Sequence, residues 1–153
     1  MGGFVRHRDE VHVLLGDDER RLVAVALRIL EDADEVDPED PGAVRLRYSA
    51  HPDHAAADDR FRSLTQGMLD DARRADRQTL METLQASRIS IEDAEAWMRV
   101  IGEARLVLGA RAGLAEDGWE EELAAADEPP SPEVILVDLL GRLQDGLVVA
   151  LLD

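Results

Sequence analysis

The residues best suited to chemistry in this chain are the histidines and carboxylates of His51-Pro52-Asp53-His54. Two imidazoles three positions apart share a metal when they lie on one helix face, but Pro52 stands between them and no third ligand lies nearby in sequence. A solvated loop leading into a helix accounts for the same four residues, so no metal or other cofactor is expected. Carboxylate pairs recur at Asp58-Asp59, Asp70-Asp71 and Glu92-Asp93. Acid–base catalysis needs two environments that drive such pKa values apart. These pairs fall on polar helix faces and first turns, where solvation and capping explain them. The chain has no cysteine, which removes thiol catalysis, thiolate metal sites and disulfides together. It also lacks a Gly-rich phosphate loop, a nucleophile elbow and a Glu-x-x-His pair. An enzyme is not expected.

Arg60, Arg62, Arg73, Arg74 and Arg77 are the candidate nucleic-acid contacts. Asp58, Asp59, Asp70, Asp71 and Asp76 are interleaved with them, so the segment is nearly neutral and has the pattern of an ion-paired solvated surface. The chain as a whole carries a formal charge of −17, and all of its 17 basic residues are arginine. Non-specific DNA affinity comes mainly from cations that displace counterions from phosphate, so a body this acidic meets repulsion first. Leu80 to Arg99 can be cast as a helix-turn-helix, but its second helix would present Glu92, Asp93 and Glu95 at the end that approaches the DNA. Aromatic residues make up 3% of the chain, too few for base-stacking platforms.

Hydrophobic periodicity indicates an all-α or α-dominated domain of four to six helices, with a short hairpin at its N-terminal end. The 153 residues fit a single domain, 1–153, with long connections at 34–52 and 115–131. Val11, Val13 and Leu15 alternate with His12, and Arg8-Asp9-Glu10 supplies the turn. Asp17 and Asp18 offer N-caps for a helix running to about Ala33, with a stripe of Leu22, Val25, Ala26, Ile29 and Leu30. Helix resumes near Asp53, with Phe61, Leu64, Met68, Ala72 and Ala75 forming an apolar seam. Leu80, Met81 and Leu84 extend it as one long helix or two in succession. Ser90 caps the next helix, whose stripe is Ala94, Trp97, Met98, Ile101, Ala104 and Leu108, and Gly113 stops it.

Trp119, in the acidic segment that follows, is a candidate partner anchor. Ser131-Pro132-Glu133 opens a final helix. That helix is apolar almost all round, through Ile135, Leu136, Leu139, Leu140, Leu143, Leu147, Val148 and Leu151. Such a circumference requires either a central place in the fold or a partner's surface, and these eight residues are the candidate interface of a homodimer. No run is long and apolar enough for export or for a membrane span, so a cytoplasmic location is expected.

Phe61-Arg62-Ser63-Leu64-Thr65, Ala94-Glu95-Ala96-Trp97-Met98-Arg99, Arg105-Leu106-Val107-Leu108-Gly109-Ala110-Arg111 and Leu143-Gln144-Asp145-Gly146-Leu147 resemble one actinobacterial family, domain of unknown function 2017. Phe4-Val5-Arg6 and Asp17-Asp18-Glu19 fit it as well, so the resemblance spans nearly the whole chain. It implies a link to transcription, because some members are described as oxidative-stress regulators that act with an alternative sigma factor through a cysteine pair. With no cysteine in this chain, that thiol switch has no counterpart here.

The expectation is therefore a non-enzymatic regulator acting through protein–protein contacts, with RNA polymerase and its sigma factor as the partner. One alternative is a regulator that reads DNA directly, for which its arginines must gather on one face. The other is an enzyme or metal-dependent protein, for which histidines and carboxylates must converge in a pocket.

Overall fold

A computed structural model describes residues 3–35, 59–113 and 129–153, and side chains for all of these except 34, 35, 59–63 and 66. Among the described residues, three short strands and four helices follow one another. They are β1 (Phe4–His7), β2 (Glu10–Val13), α1 (Asp17–Glu35), α2 (Asp59–Thr83), β3 (Arg88–Ser90), α3 (Ile91–Arg111) and α4 (Pro132–Leu152). The domain is thus α-dominated, as its periodicity indicates, with a small antiparallel sheet ordered β1-β2-β3.

β1 and β2 form the expected hairpin, with Phe4 opposite Val13 and His7 opposite Glu10. Alternation turns Val11 and Val13 inward and leaves His12 on the outer face. The turn is Arg8-Asp9, with Arg8 in the left-handed region at φ 59°. β3 was not apparent from the sequence. Its single inward residue, Ile89, sits opposite Val11, and three residues are too few to establish a period.

α1 starts at Asp17, and Gly16 rather than an aspartate takes the cap position, its carbonyl accepting from the Arg20 amide at 3.0 Å. Asp17, Asp18 and Glu19 occupy the first turn, where the helix dipole favours negative charge. The buried stripe is Val23, Ala26, Leu27, Leu30 and Ala33, which corrects the expected one. Val25 faces solvent, and Leu22 and Ile29 are only partly covered. Two neighbouring stripes on α1 both satisfy helical spacing, and the packing selects one.

α3 is the central helix, packed against α4, α2 and α1. Ser90 caps it as expected, its hydroxyl accepting from the Asp93 amide at 3.0 Å. Gly113, at φ 69°, ends it in a conformation that side chains resist. Ser131 and Pro132 open α4 in the same way. Trp97 of α3 lies at the centre of the core, fully buried, with its ring edge-on to Phe4 at 6.1 Å. Its indole N–H donates to the Thr83 hydroxyl at 2.7 Å, which satisfies the one polar atom the ring brings inside.

The α3–α4 crossing is close because glycines lie on both sides of it. A Cβ on Gly102 would meet Gln144 Nε2 at 2.7 Å, and one on Gly141 would meet the Arg105 guanidinium at 3.1 Å. Each helix therefore lays a long polar side chain over the other's glycine. The two side chains join where Arg105 Nη1 donates to Gln144 Oε1 at 2.6 Å.

Arg20 joins three segments. Its guanidinium donates to the carbonyls of Leu15, Leu84, Ala86 and Val13, at 2.7–3.4 Å. Arg6 donates to the Leu151 carbonyl at 3.0 Å and so ties the last turn of α4 to the hairpin. No described helix is long and apolar enough to cross a membrane.

Candidate interaction surface on the second helix

α2 presents opposite chemistry on its two sides. Toward α3 it directs arginines. Arg73 Nε lies 3.6 Å and Arg77 Nη2 3.7 Å from the carboxylate of Glu103, and all three side chains are at most 16% exposed. Along the same boundary Arg99 of α3 pairs with Asp76 through two hydrogen bonds of 2.8 and 2.9 Å. The Asp76 hydrogen bond, more than its charge at a distance, raises the Arg99 pKa above its already high ordinary value. Leu80 is the large residue of α2 that is fully buried.

Away from α3, α2 exposes apolar groups. Leu64 is 69% and Met68 72% exposed, and Ala72 and Ala75 are exposed beside them. Met68 and Arg77 are nine residues apart, about two and a half turns, which puts them on opposite sides of the helix. The seam that spacing marks as a core stripe therefore faces outward. The side chain of Phe61, its first member, lies outside the described residues. The physical reason is the neighbouring helix: α3 offers Glu103 and Asp76's partner Arg99 at the contact, and arginines match that surface where Leu64 and Met68 do not.

The candidate nucleic-acid arginines accordingly do not form one outward patch within the described side chains. Arg73 and Arg77 face Glu103, while Arg74 pairs with Asp71 at 3.5 Å in solvent. The side chains of Arg60 and Arg62 lie outside the described residues. The proposed recognition helix of a helix-turn-helix is α3, and the three residues before it are strand β3 rather than a turn between helices.

The eight candidate interface residues of α4 separate into two groups. Leu140, Leu143 and Leu147 are core residues with essentially no accessible surface, so they cannot also meet a partner in the folded chain. Leu136, Leu139, Val148 and Leu151 are half-buried, and only Ile135 of the eight is exposed. The central place in the fold explains most of the helix's apolar circumference.

His51, His54 and Trp119 lie outside the described residues. The hairpin instead brings together a pair that the sequence did not single out. His7 and His12 stand with ring centroids 5.5 Å apart, beside Glu10, because residues five apart across a two-residue turn share one face of the ribbon. Among the described residues no group of three or more histidines, aspartates or glutamates is arranged to hold a metal.

Two of the stretches that carry the family resemblance contain Arg105 and Gln144, the two halves of the α3–α4 contact, and a third contains Trp97. These are positions that set packing, so they mark a family more sharply than a reaction. No curated protein and no solved structure matches the chain. Residues 1–151 match the model of the family described as Domain of unknown function (DUF2017), and the chain belongs to that family.

Proposed function

We propose that this protein is a non-enzymatic regulator that acts through protein–protein contacts, and that its partner is the transcription machinery rather than DNA itself. The observation that carries this reading is the engagement of six of its 17 arginines by its own carboxylates. Arg73 and Arg77 meet Glu103, Arg99 meets Asp76, Arg74 meets Asp71, Arg21 meets Asp18 and Arg142 meets Asp138. Arg73 and Arg77, turned inward onto Glu103, contribute little to a phosphate backbone, and the acidic excess of the chain repels it. The same excess attracts a basic protein surface and speeds encounter with it. The family resemblance supplies the direction toward RNA polymerase and its sigma factor, and the absence of cysteine means that regulation here is not a thiol switch.

The test is fluorescence anisotropy of the labelled protein, titrated separately with RNA polymerase holoenzyme and with the DNA upstream of its own gene, at low and moderate salt. The expected result is saturable binding to polymerase that weakens as salt rises, with no response to bare DNA. Tight, sequence-selective binding to bare DNA overturns the reading in favour of a direct DNA reader. Silence toward polymerase at both salts overturns the transcription link.

A further inference from the structure

We propose that the outward face of α2 is a self-association surface, on which two copies of this chain pack their α2 helices antiparallel about a two-fold axis. Three features of that face point to a second copy as its occupant.

The first is charge. α2 carries five acidic residues, Asp59, Asp70, Asp71, Asp76 and Glu82, and five arginines, Arg60, Arg62, Arg73, Arg74 and Arg77, so its charges cancel. The whole formal charge of −17 therefore resides elsewhere in the chain. Two molecules of like charge approach with least repulsion through the parts that carry least of it, and this helix, neutral as a whole although Arg73 and Arg77 turn inward to Glu103, also exposes Leu64 and Met68. α4, in contrast, exposes Ile135, Val149 and Leu152 but carries Glu133, Asp138 and Asp145 against the single Arg142.

The second feature is size. The exposed row runs from large residues, Leu64 and Met68, to small ones, Ala72 and Ala75, followed by Thr79. A two-fold axis passing between residues 71 and 72 places Met68 across from the partner's Ala75, and Leu64 across from the partner's Thr79. Large side chains then fill the space beside small ones in both halves of the contact, which is what close helix packing requires. A parallel arrangement would set large against large and leave the alanines facing each other.

The third is the order of charges along the flank. Asp71 precedes Arg74 on the edge of the row, and both are largely exposed. Antiparallel packing reverses that order in the second copy, so Asp71 approaches the partner's Arg74 while Arg74 approaches the partner's Asp71. Opposite charges meet twice, and each pairing fixes the register as well as the direction.

Sedimentation velocity on the full chain over micromolar to hundred-micromolar concentrations tests the proposal, with circular dichroism confirming that each variant keeps its helix content. Wild type is expected to show a concentration-dependent dimer. Met68→Glu should weaken it about tenfold or more, because it places a charge on the row itself. Arg74→Asp should weaken it less, and the double swap Asp71→Arg with Arg74→Asp should restore it, since the swapped order is again complementary when reversed. Val149→Glu, on the exposed side of α4, should leave it unchanged. A wild type that stays monomeric throughout overturns the proposal. So does a dimer indifferent to Met68→Glu but broken by Val149→Glu, and so does a swap that fails to rescue Arg74→Asp.

Discussion

α4 and α2 each carry an apolar row at helical spacing, and the fold uses the two rows in opposite ways. α4 turns Val137, Leu140, Leu143, Leu147 and Ala150 into the core and leaves Val149 and Leu152 at its margin. α2 turns Leu64, Met68, Ala72 and Ala75 to solvent and buries the stems of Arg73 and Arg77 against Glu103. Periodicity establishes that a helix has an apolar side, while the neighbouring helix decides which side faces in. α4 lies against the apolar and glycine positions of α3, whereas α2 meets α3 along a boundary that holds Glu103 and Arg99.

If that contrast is right, truncations on the two helices should differ widely in effect. The largest is expected from Leu147→Ala, which empties part of a fully buried site on α4 and should destabilise the chain by about 3 kcal/mol in urea denaturation. An effect below about 1 kcal/mol would mean that α4 is not central. Glu103→Gln should come next. It leaves the part-buried Arg73 and Arg77 facing a neutral amide, and about 1–2 kcal/mol should be lost once partial exposure is allowed for. If this variant is neutral, the inward ion network does not hold α2 in place. Met68→Ala and Leu64→Ala, measured at concentrations where the chain is monomeric, should each change stability by no more than about 0.5 kcal/mol. A loss comparable to that of Leu147→Ala would show that the row is buried and would remove the contrast.

Local chemistry made much of the fold legible in the sequence. Ser90, Ser131-Pro132 and Gly113 act within one helical turn, so each is visible in a few adjacent letters, and each is where it was expected. Val11 and Val13 gave the hairpin its inward face, although the turn uses Arg8 where Gly or Asn would have signalled it. What stayed hidden depends on distant residues. β3 exists because Ile89 pairs with Val11 across about half of the chain, and the α1 stripe is selected by what packs on it. At the candidate surface, the interleaved residues of α2 suggested an ion-paired solvated face, and Arg74 with Asp71 is such a pair, but Arg73 and Arg77 turn inward instead. Glu103, the partner of Arg73 and Arg77, lies on another helix, and nothing in the spacing pointed to it.

The position of β3 has a consequence for how quickly the chain can fold. Its partner strand β2 spans Glu10–Val13, so Glu10 and Ser90 meet across a stretch of chain that includes the described helices α1 and α2. Arg20 adds to this requirement, because its guanidinium holds the carbonyls of Leu15 and Val13 together with those of Leu84 and Ala86. α1 and α2 can each form from local hydrogen bonds on the microsecond scale, but the third strand can register only after the ends of a long loop have closed. The sheet edge and the Arg20 clasp are therefore expected to register after the helices they join, and the contact of Arg6 with Leu151, which spans still more of the chain, later again.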